Sequence, residues 1–419
     1  VRNDIPFERY AGAVPSPVAV YRGLPMGFAG DGSELLAYFA APAVGGPQVA
    51  EAGVQGPASV VPFRRATTGR TTQLATTGPQ AMTAAQQLVE VPLDGSGFVY
   101  AIHLDVTCVV AANVLNVAFQ EDAPYNVLAL VSFYDVTGET HNLDGYSLHL
   151  ANIYGSWELE PLNALSNDPG VYQLTAGAVA AGGSFRFHKL IPIAINERDL
   201  VGLLGNEDRA QRYFMRNDIA ASAVVYSTAP TTLGNVTIAR SYRSYTVPSP
   251  TNTLGHKQET LPPKWGVIHN INRAVSASVP AGGATIQHQL PKIGNTIRNL
   301  IFVLRSNGSR QTAEANMPTR LALYIGDVPL FIDTPAALRT RMFEAFGFDA
   351  PAGVYVYTFT RDFNSPRAGT ELMEDYLWTQ KVTQAYWEVT YPAGFGTAAN
   401  SLTIITDDMK VPANVDLYA

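Results

Sequence analysis

From about residue 86 onward the chain is a succession of short apolar runs, many alternating apolar and polar positions, separated by Gly, Pro, Asn and Asp. A period of two marks strands with one buried face. The pattern predicts strands over Gln87–Pro92, Phe98–Val110, Val127–Tyr134, Tyr146–Leu150, Ser184–Leu190, Ala221–Tyr226 and Val236–Tyr245. Turns are expected at Asp94–Gly97, Thr137–Gly138 and Asp144–Gly145. Pro248, Pro250, Pro262 and Pro263 remove ladder donors and stiffen residues 248–266 into a connector. Strands then resume at Ala284–Leu290, Ile297–Arg305, Leu321–Ile325, Val354–Thr360, Tyr386–Tyr391 and Leu402–Thr406. Thr334 as cap, Pro335 at the first position and Gly347 as stop predict a helix over Ala336–Phe346. Carboxylates in the first turn suggest two more helical starts, Asn196–Val201 and Asn206–Phe214.

The first 75 residues lack such periodicity. They are rich in Pro, Gly, Ala and Thr with isolated aromatic anchors, and read as an extended arm. Within it, Ser33–Ala41 is a short apolar piece headed by an N-cap serine, enough for two or three helical turns that need a surface to bury against.

The two strand-rich halves echo one another. Val91-Pro92-Leu93-Asp94-Gly95-Ser96-Gly97-Phe98 lies on Leu290-Pro291-Lys292-Ile293-Gly294-Asn295-Thr296-Ile297, with Pro, Gly and the apolar positions coinciding. Gly183-Ser184-Phe185-Arg186-Phe187 matches Gly353-Val354-Tyr355-Val356-Tyr357. Two copies of one β-fold explain this most simply. The expected fold is all-β: two consecutive eight-stranded jelly-roll sandwiches with short helical insertions. The arm spans 1–75, the first sandwich 76–247, the linker 248–266 and the second sandwich 267–419.

Composition agrees. The chain has 419 residues, 35 Gly, 28 Pro, 20 Tyr and 18 Phe, which favours turns and strands over long helices. Only 15% of residues are charged against 47% hydrophobic, so contacts with further copies of the chain are expected to cover part of its surface. A net charge of −7 and the lack of any basic cluster beyond Arg64, Arg65 and Arg70 argue against a direct grip on nucleic acid. The apolar runs fall short of a membrane-spanning helix and the first residues lack a signal-peptide pattern, so a soluble product is expected.

The catalytic inventory is thin. Cys108 sits in the β-branched run Val106–Val110, which raises a thiol pKa and suits packing. His103, His141, His149, His188, His256, His269 and His288 show neither the spacing of two nor that of four that would align metal ligands on one element. Asp135, Glu139, His141 and Asp144 gather around a turn as a candidate cation site, with a solvated turn as the plainer reading. Glu158 and Glu160 are two apart, hence on one face if extended, and read as surface carboxylates next to Trp157 before a glycosidase pair. Tyr376, Trp378, Tyr386 and Trp387 fit core packing before sugar stacking. Asn235-Val236-Thr237 and Asn307-Gly308-Ser309 match the glycosylation triplet. No catalytic residue, cofactor or metal is assigned.

The segment Ala123–Asp135, followed by Gly138 and Asp144–Leu148, resembles the first jelly roll of the double-jelly-roll major capsid proteins of tectivirus-like, tailless, internal-membrane-containing bacteriophages. Ile297–Arg305, the turn to Arg320-Leu321, the Gly326-Asp327 turn, the capped helix and Gly353–Phe363 are similar in layout to the second. The resemblance spans about residues 85–410, and the 75-residue arm departs from a minimal member. It implies a homotrimer with a pseudo-hexagonal outline, tiling an icosahedral shell around an internal membrane and a double-stranded DNA genome. Neighbouring trimers, penton and minor membrane-associated proteins are the implied partners, and the arm would face the inner membrane. The competing reading is a glycan-binding or glycan-hydrolysing double β-sandwich.

Overall fold

The structure, a computed structural model, describes residues 60–415 apart from 96, 158–160, 164–165, 170, 198–199, 208–212, 280–282, 307, 361–372, 394, 396–399 and 414. Ser59–Ala419 form one compact unit. Sixteen strands carry its architecture. In the first half these are β1 Gly69–Gln73, β2 Val91–Pro92, β3 Gly97–Val109, β4 Leu128–Asp135, β5 Gly138–Leu143, β6 Phe185–Pro192, β7 Phe214–Ile219 and β8 Asn235–Tyr245. In the second they are β9 Ile268–Val279, β10 Thr285–Gln289, β11 Thr296–Ser306, β12 Arg320–Ile325, β13 Val328–Asp333, β14 Val354–Thr358, β15 Ala385–Thr390 and β16 Asn400–Lys410. Helix α1, Gly145–Tyr154, follows β5, and α2, Pro335–Phe346, follows β13.

The halves are equivalent strand for strand. One sheet of the first runs β1-β8-β3-β6 and the other β5-β4-β7-β2, all antiparallel. The second repeats this as β9-β16-β11-β14 and β13-β12-β15-β10. Even the irregularities recur. The β4–β5 ladder slips between Phe133 and Tyr134, leaving Thr140 over, and the β12–β13 ladder slips between Leu323 and Tyr324, leaving Leu330 over. Likewise Tyr100 is the extra residue opposite Arg243–Ser244, and Arg298 the extra residue in β11 opposite Asp407–Asp408. The expected pair of eight-stranded jelly rolls is therefore observed. The glycines of the internal repeat, Gly183 and Gly353, both hold positive φ, 97° and 77°, at the entries to β6 and β14.

One parallel contact joins the sandwiches: β9 lies beside β5, with Ile271 opposite His141 and Asn272 opposite Asn142. This junction explains burial that a lone sandwich lacks. Nine consecutive residues of β11 and eight of β16 are buried on both faces, because α1 and the first sandwich cover the side that would otherwise meet solvent. In the second sandwich the fully buried Trp387 stacks on Phe302 at 4.1 Å.

Several expectations change. Tyr146–Leu150 is helical, not extended. Asp144 caps the turn by accepting from Ser147 N at 2.6 Å, and the seam buries all ten α1 residues, so a run apolar all round suits a helix as well as a strand. Ala221–Tyr226 is a single helical turn, Ser222–Val225, leading into a strand at Tyr226–Thr228. Of the first suspected helical start, Asn196–Val201, residues 198–199 lie outside the described residues; beside them Ile195 N donates to Val201 O at 3.0 Å and Leu200 has φ 55°. In the second suspected helical start, Asn206 ends a short strand and Phe214 opens β7, while 208–212 lie outside the described residues, as does Ser33–Ala41. Strands β5, β7, β9 and β13 went unread, and β1 falls within the segment assigned to the arm. The α2 expectation holds: Thr334 Oγ1 accepts from Ala337 N at 3.2 Å, and Gly347 closes the helix at φ 76°.

Candidate assembly site at the seam

The junction is built from polar residues placed inside otherwise apolar strands. His141 on β5 and His269 on β9 both donate to the carbonyl of Pro192, from Nε2 at 2.9 Å and Nδ1 at 3.1 Å. Thr140 Oγ1 lies 3.0 Å from His141 Nδ1, so the neutral tautomer is satisfied at both nitrogens. Burial drives the His141 pKa down to about 3, helped by the neighbouring His269.

Asp407 on β16 is the hub. Its Oδ1 meets His269 Nε2 at 2.7 Å, and its Oδ2 accepts from Arg298 at 2.9 Å and Asn299 at 3.0 Å. Burial alone would raise this carboxyl, but the Arg298 charge, His269 and Asn299 outweigh it and hold Asp407 below the usual carboxylate range. Arg298 reaches across the seam to Gly155 O at 2.9 Å and lies 4.8 Å over the ring of Trp157, whose indole donates to Ile195 O at 2.9 Å. The next residue, Asp408, is buried with Asn295 as its partner, and desolvation pushes its pKa up to about 6.

Three ion pairs cross the seam beside an open cleft of about 640 Å³ lined by both sandwiches. Arg273 pairs with Asp144, the α1 cap. Arg305 and Arg310 share Asp122, at 2.6 and 3.2 Å, and lie over the ring of Tyr146. The cleft's three arginines are thus paired across the junction with Asp144 and Asp122. They clamp the two sandwiches together.

The sequence candidates do not converge. Asp135 caps its own turn, accepting from Thr137 N, Thr137 Oγ1 and Gly138 N. Glu139 binds Asn142, His141 faces Pro192 and Asp144 faces Ser147 and Arg273. Among the described residues no group of three or more His, Cys, Asp or Glu is placed to hold a metal ion. Glu158 and Glu160 lie outside the described residues. Cys108 is buried, its thiol pushed up to about 11 by desolvation. Tyr376, Tyr386 and Trp387 are core residues, while Trp378 is half exposed. Among the described residues no helix is long and apolar enough to cross a membrane.

Sequence reasoning missed the hub. Its signal was charge inside an apolar strand, as in Ile297-Arg298-Asn299-Leu300 and Thr406-Asp407-Asp408-Met409, since such residues persist in strands only when paired. It also missed the contact of His103 and His188 at 3.0 Å, because they meet across β3 and β6 and not along one strand.

No family model matches the sequence, and no curated protein matches it. Solved structures do. A chain of the atomic structure of Sulfolobus turreted icosahedral virus superposes with a TM-score of 0.58 at 12% identity, over 82% of this chain and 91% of that one. The crystal structure of the STIV major capsid protein gives 0.57 at 11% identity, over 82% and 97%. VP54 of PBCV-1 gives 0.58 at 10% identity, over 83% and 95%. Likeness at such low identity speaks for architecture alone, and on that ground the chain has the double-jelly-roll fold found in viral major capsid proteins.

Proposed function

We propose that the chain is the major coat protein of a virion, a structural and non-enzymatic subunit that assembles as homotrimers into an icosahedral shell. The observation that carries this reading is the strand-for-strand equivalence of two sandwiches held rigidly at a polar seam. A chain with two equivalent wedges supplies six when three copies associate, and a six-lobed unit tiles a flat facet. The fold shared with capsid proteins supports the same role.

The finer reading follows the sequence. Residues 1–75 serve as the arm apart from β1, Gly69–Gln73, which pairs into the first sandwich; 76–247 and 267–419 are the sandwiches and 248–266 the linker. The arm faces an internal membrane, and penton and minor membrane-associated proteins complete the shell. A net charge of −7 favours a lipid layer between this coat and a double-stranded DNA genome over direct contact. Density-gradient particles from the source should contain the 45.0 kDa chain as their most abundant protein. Recovery of the chain only outside particles would refute the reading.

A further inference from the structure

The equivalent helices α1 and α2 differ sharply in burial. All ten residues of α1 are buried, whereas only Leu338 and Met342 of the twelve in α2 are. The preceding strands follow suit. In β5 Thr140, His141 and Leu143 are buried, but β13 exposes Val328 by 65%, Leu330 by 41% and Ile332 by 57%, and Phe343 of α2 by 52%. The cause is plain: β5 and α1 are covered by β9 and its sheet, while β13 is a sheet edge with nothing beside it among the described residues. The equivalent of β9, strand β1, is also a sheet edge, with Gly69, Arg70, Thr71 and Gln73 exposed.

We propose that the β13–α2 edge of one copy docks on the β1 edge of a second copy, repeating between chains the parallel contact that joins β5 to β9 within a chain. This names the interface of the self-assembly put forward above and rests on that reading. The ladders fix the register. His141 and Asn142 correspond to Phe331 and Ile332 through their matched partners on β4 and β12. Ile271 and Asn272 correspond to Thr71 and Thr72 through the matched partners Asp407 with Arg243 and Thr406 with Tyr242. Phe331 therefore lies opposite Thr71 of the second copy, and Ile332 opposite its Thr72.

Three physical points favour a second copy as the occupant. A sheet edge carrying exposed Val328, Leu330 and Ile332 invites strand addition and is costly to leave bare. The contact is head to tail, so it repeats from chain to chain and closes when six similar junctions surround one axis, three within chains and three between. The chemistry also separates the two junctions. The intrachain one uses buried His, Asp and Arg, whereas β13 presents Val, Leu and Ile, beside a cavity of about 370 Å³ lined by Leu338, Met342 and Phe346. Burying apolar surface suits the step that happens between finished chains.

The test is the double variant Ile332→Cys with Thr72→Cys, oxidised and run without reductant, since the paired positions fall within disulfide reach. The expected result is covalent ladders ending at three chains, with neither single variant giving them. Wild-type protein that sediments as a trimer while the double variant stays uncross-linked would overturn this docking and leave self-assembly standing. Wild-type protein that sediments only as a monomer would overturn both. A second variant, Leu330→Asp with Ile332→Asp, changes exposed positions and should give monomers that keep the wild-type far-ultraviolet circular dichroism spectrum. Trimers from that variant would also overturn the docking.

Discussion

His141 and His269 donate to the same carbonyl oxygen, that of Pro192, from strands of two different sandwiches. A single backbone acceptor is thereby shared across the seam, and next to it Asp407 gathers His269, Arg298 and Asn299. The two bodies are locked by direction-specific polar contacts, which fix one relative placement where an apolar contact would permit sliding.

Asp407→Ala should be severely destabilising, because it strands the buried Arg298 guanidinium. Removing one partner of a buried pair costs roughly 3–5 kcal/mol. Denaturant unfolding would show this as a lower midpoint. A loss under about 1 kcal/mol, typical of exposed pairs, would mean the hub is solvated. Exposed Arg186→Ala, whose partner is Asp105 at 2.5 Å, should fall in that smaller range.

The pH dependence has two opposed parts. His141 is depressed to about 3, so its contribution is fully present above pH 6.5 and is lost as pH falls through 6.5 towards 3. Asp408 is raised to about 6, so its ionisation costs stability as pH rises from 3.8 through 6. Asp408→Asn should therefore stabilise the protein by up to about 3 kcal/mol above pH 7 and by nothing below pH 4. His141→Asn should flatten the acid limb. Urea midpoints at pH 4, 5.5 and 7.5 check both, and parallel curves for wild type and variants would contradict them.

Gly97 and Gly353 hold positive φ at tight approaches, where an added Cβ would meet Tyr245 O at 2.3 Å and Gln311 O at 2.4 Å. Alanine at either should cost more than the roughly 1–2 kcal/mol of left-handed backbone alone. At Gly78, which has open space and no positive φ, alanine should be close to neutral. Equal melting temperatures for all three variants would contradict this.

Cys108 should resist thiol reagents in the native state and react only on unfolding, given its burial and raised pKa. Rapid labelling of folded protein would place it at an accessible surface.

Much of the fold was legible in sequence because period-two alternation reports one buried face. It located β3, β4, β6, β8, β11 and β15, and the Thr334–Gly347 punctuation marked α2. It failed at the seam, where a second body changes what is buried. Tyr146–Leu150 looked extended because burial all round erases helical periodicity. Strand β9 was invisible because its sequence, Ile-His-Asn-Ile-Asn-Arg, places polar groups where the partner sandwich receives them. Strand β13 was missed for the converse reason: its apolar residues are exposed. The four candidate residues do not share one turn: Asp135 closes the turn into β5, Glu139 and His141 lie on β5 and Asp144 caps α1, so their side chains serve four separate structural tasks.

The most direct test is a cryo-electron microscopy reconstruction of the purified assembly at a resolution that separates sandwiches. The expected result is a three-chain ring showing six similar lobes about a threefold axis. A dimer, an isolated chain, or a ring with an unequal number of lobes would contradict the central claim that two equivalent sandwiches in one chain exist to build a six-lobed coat unit.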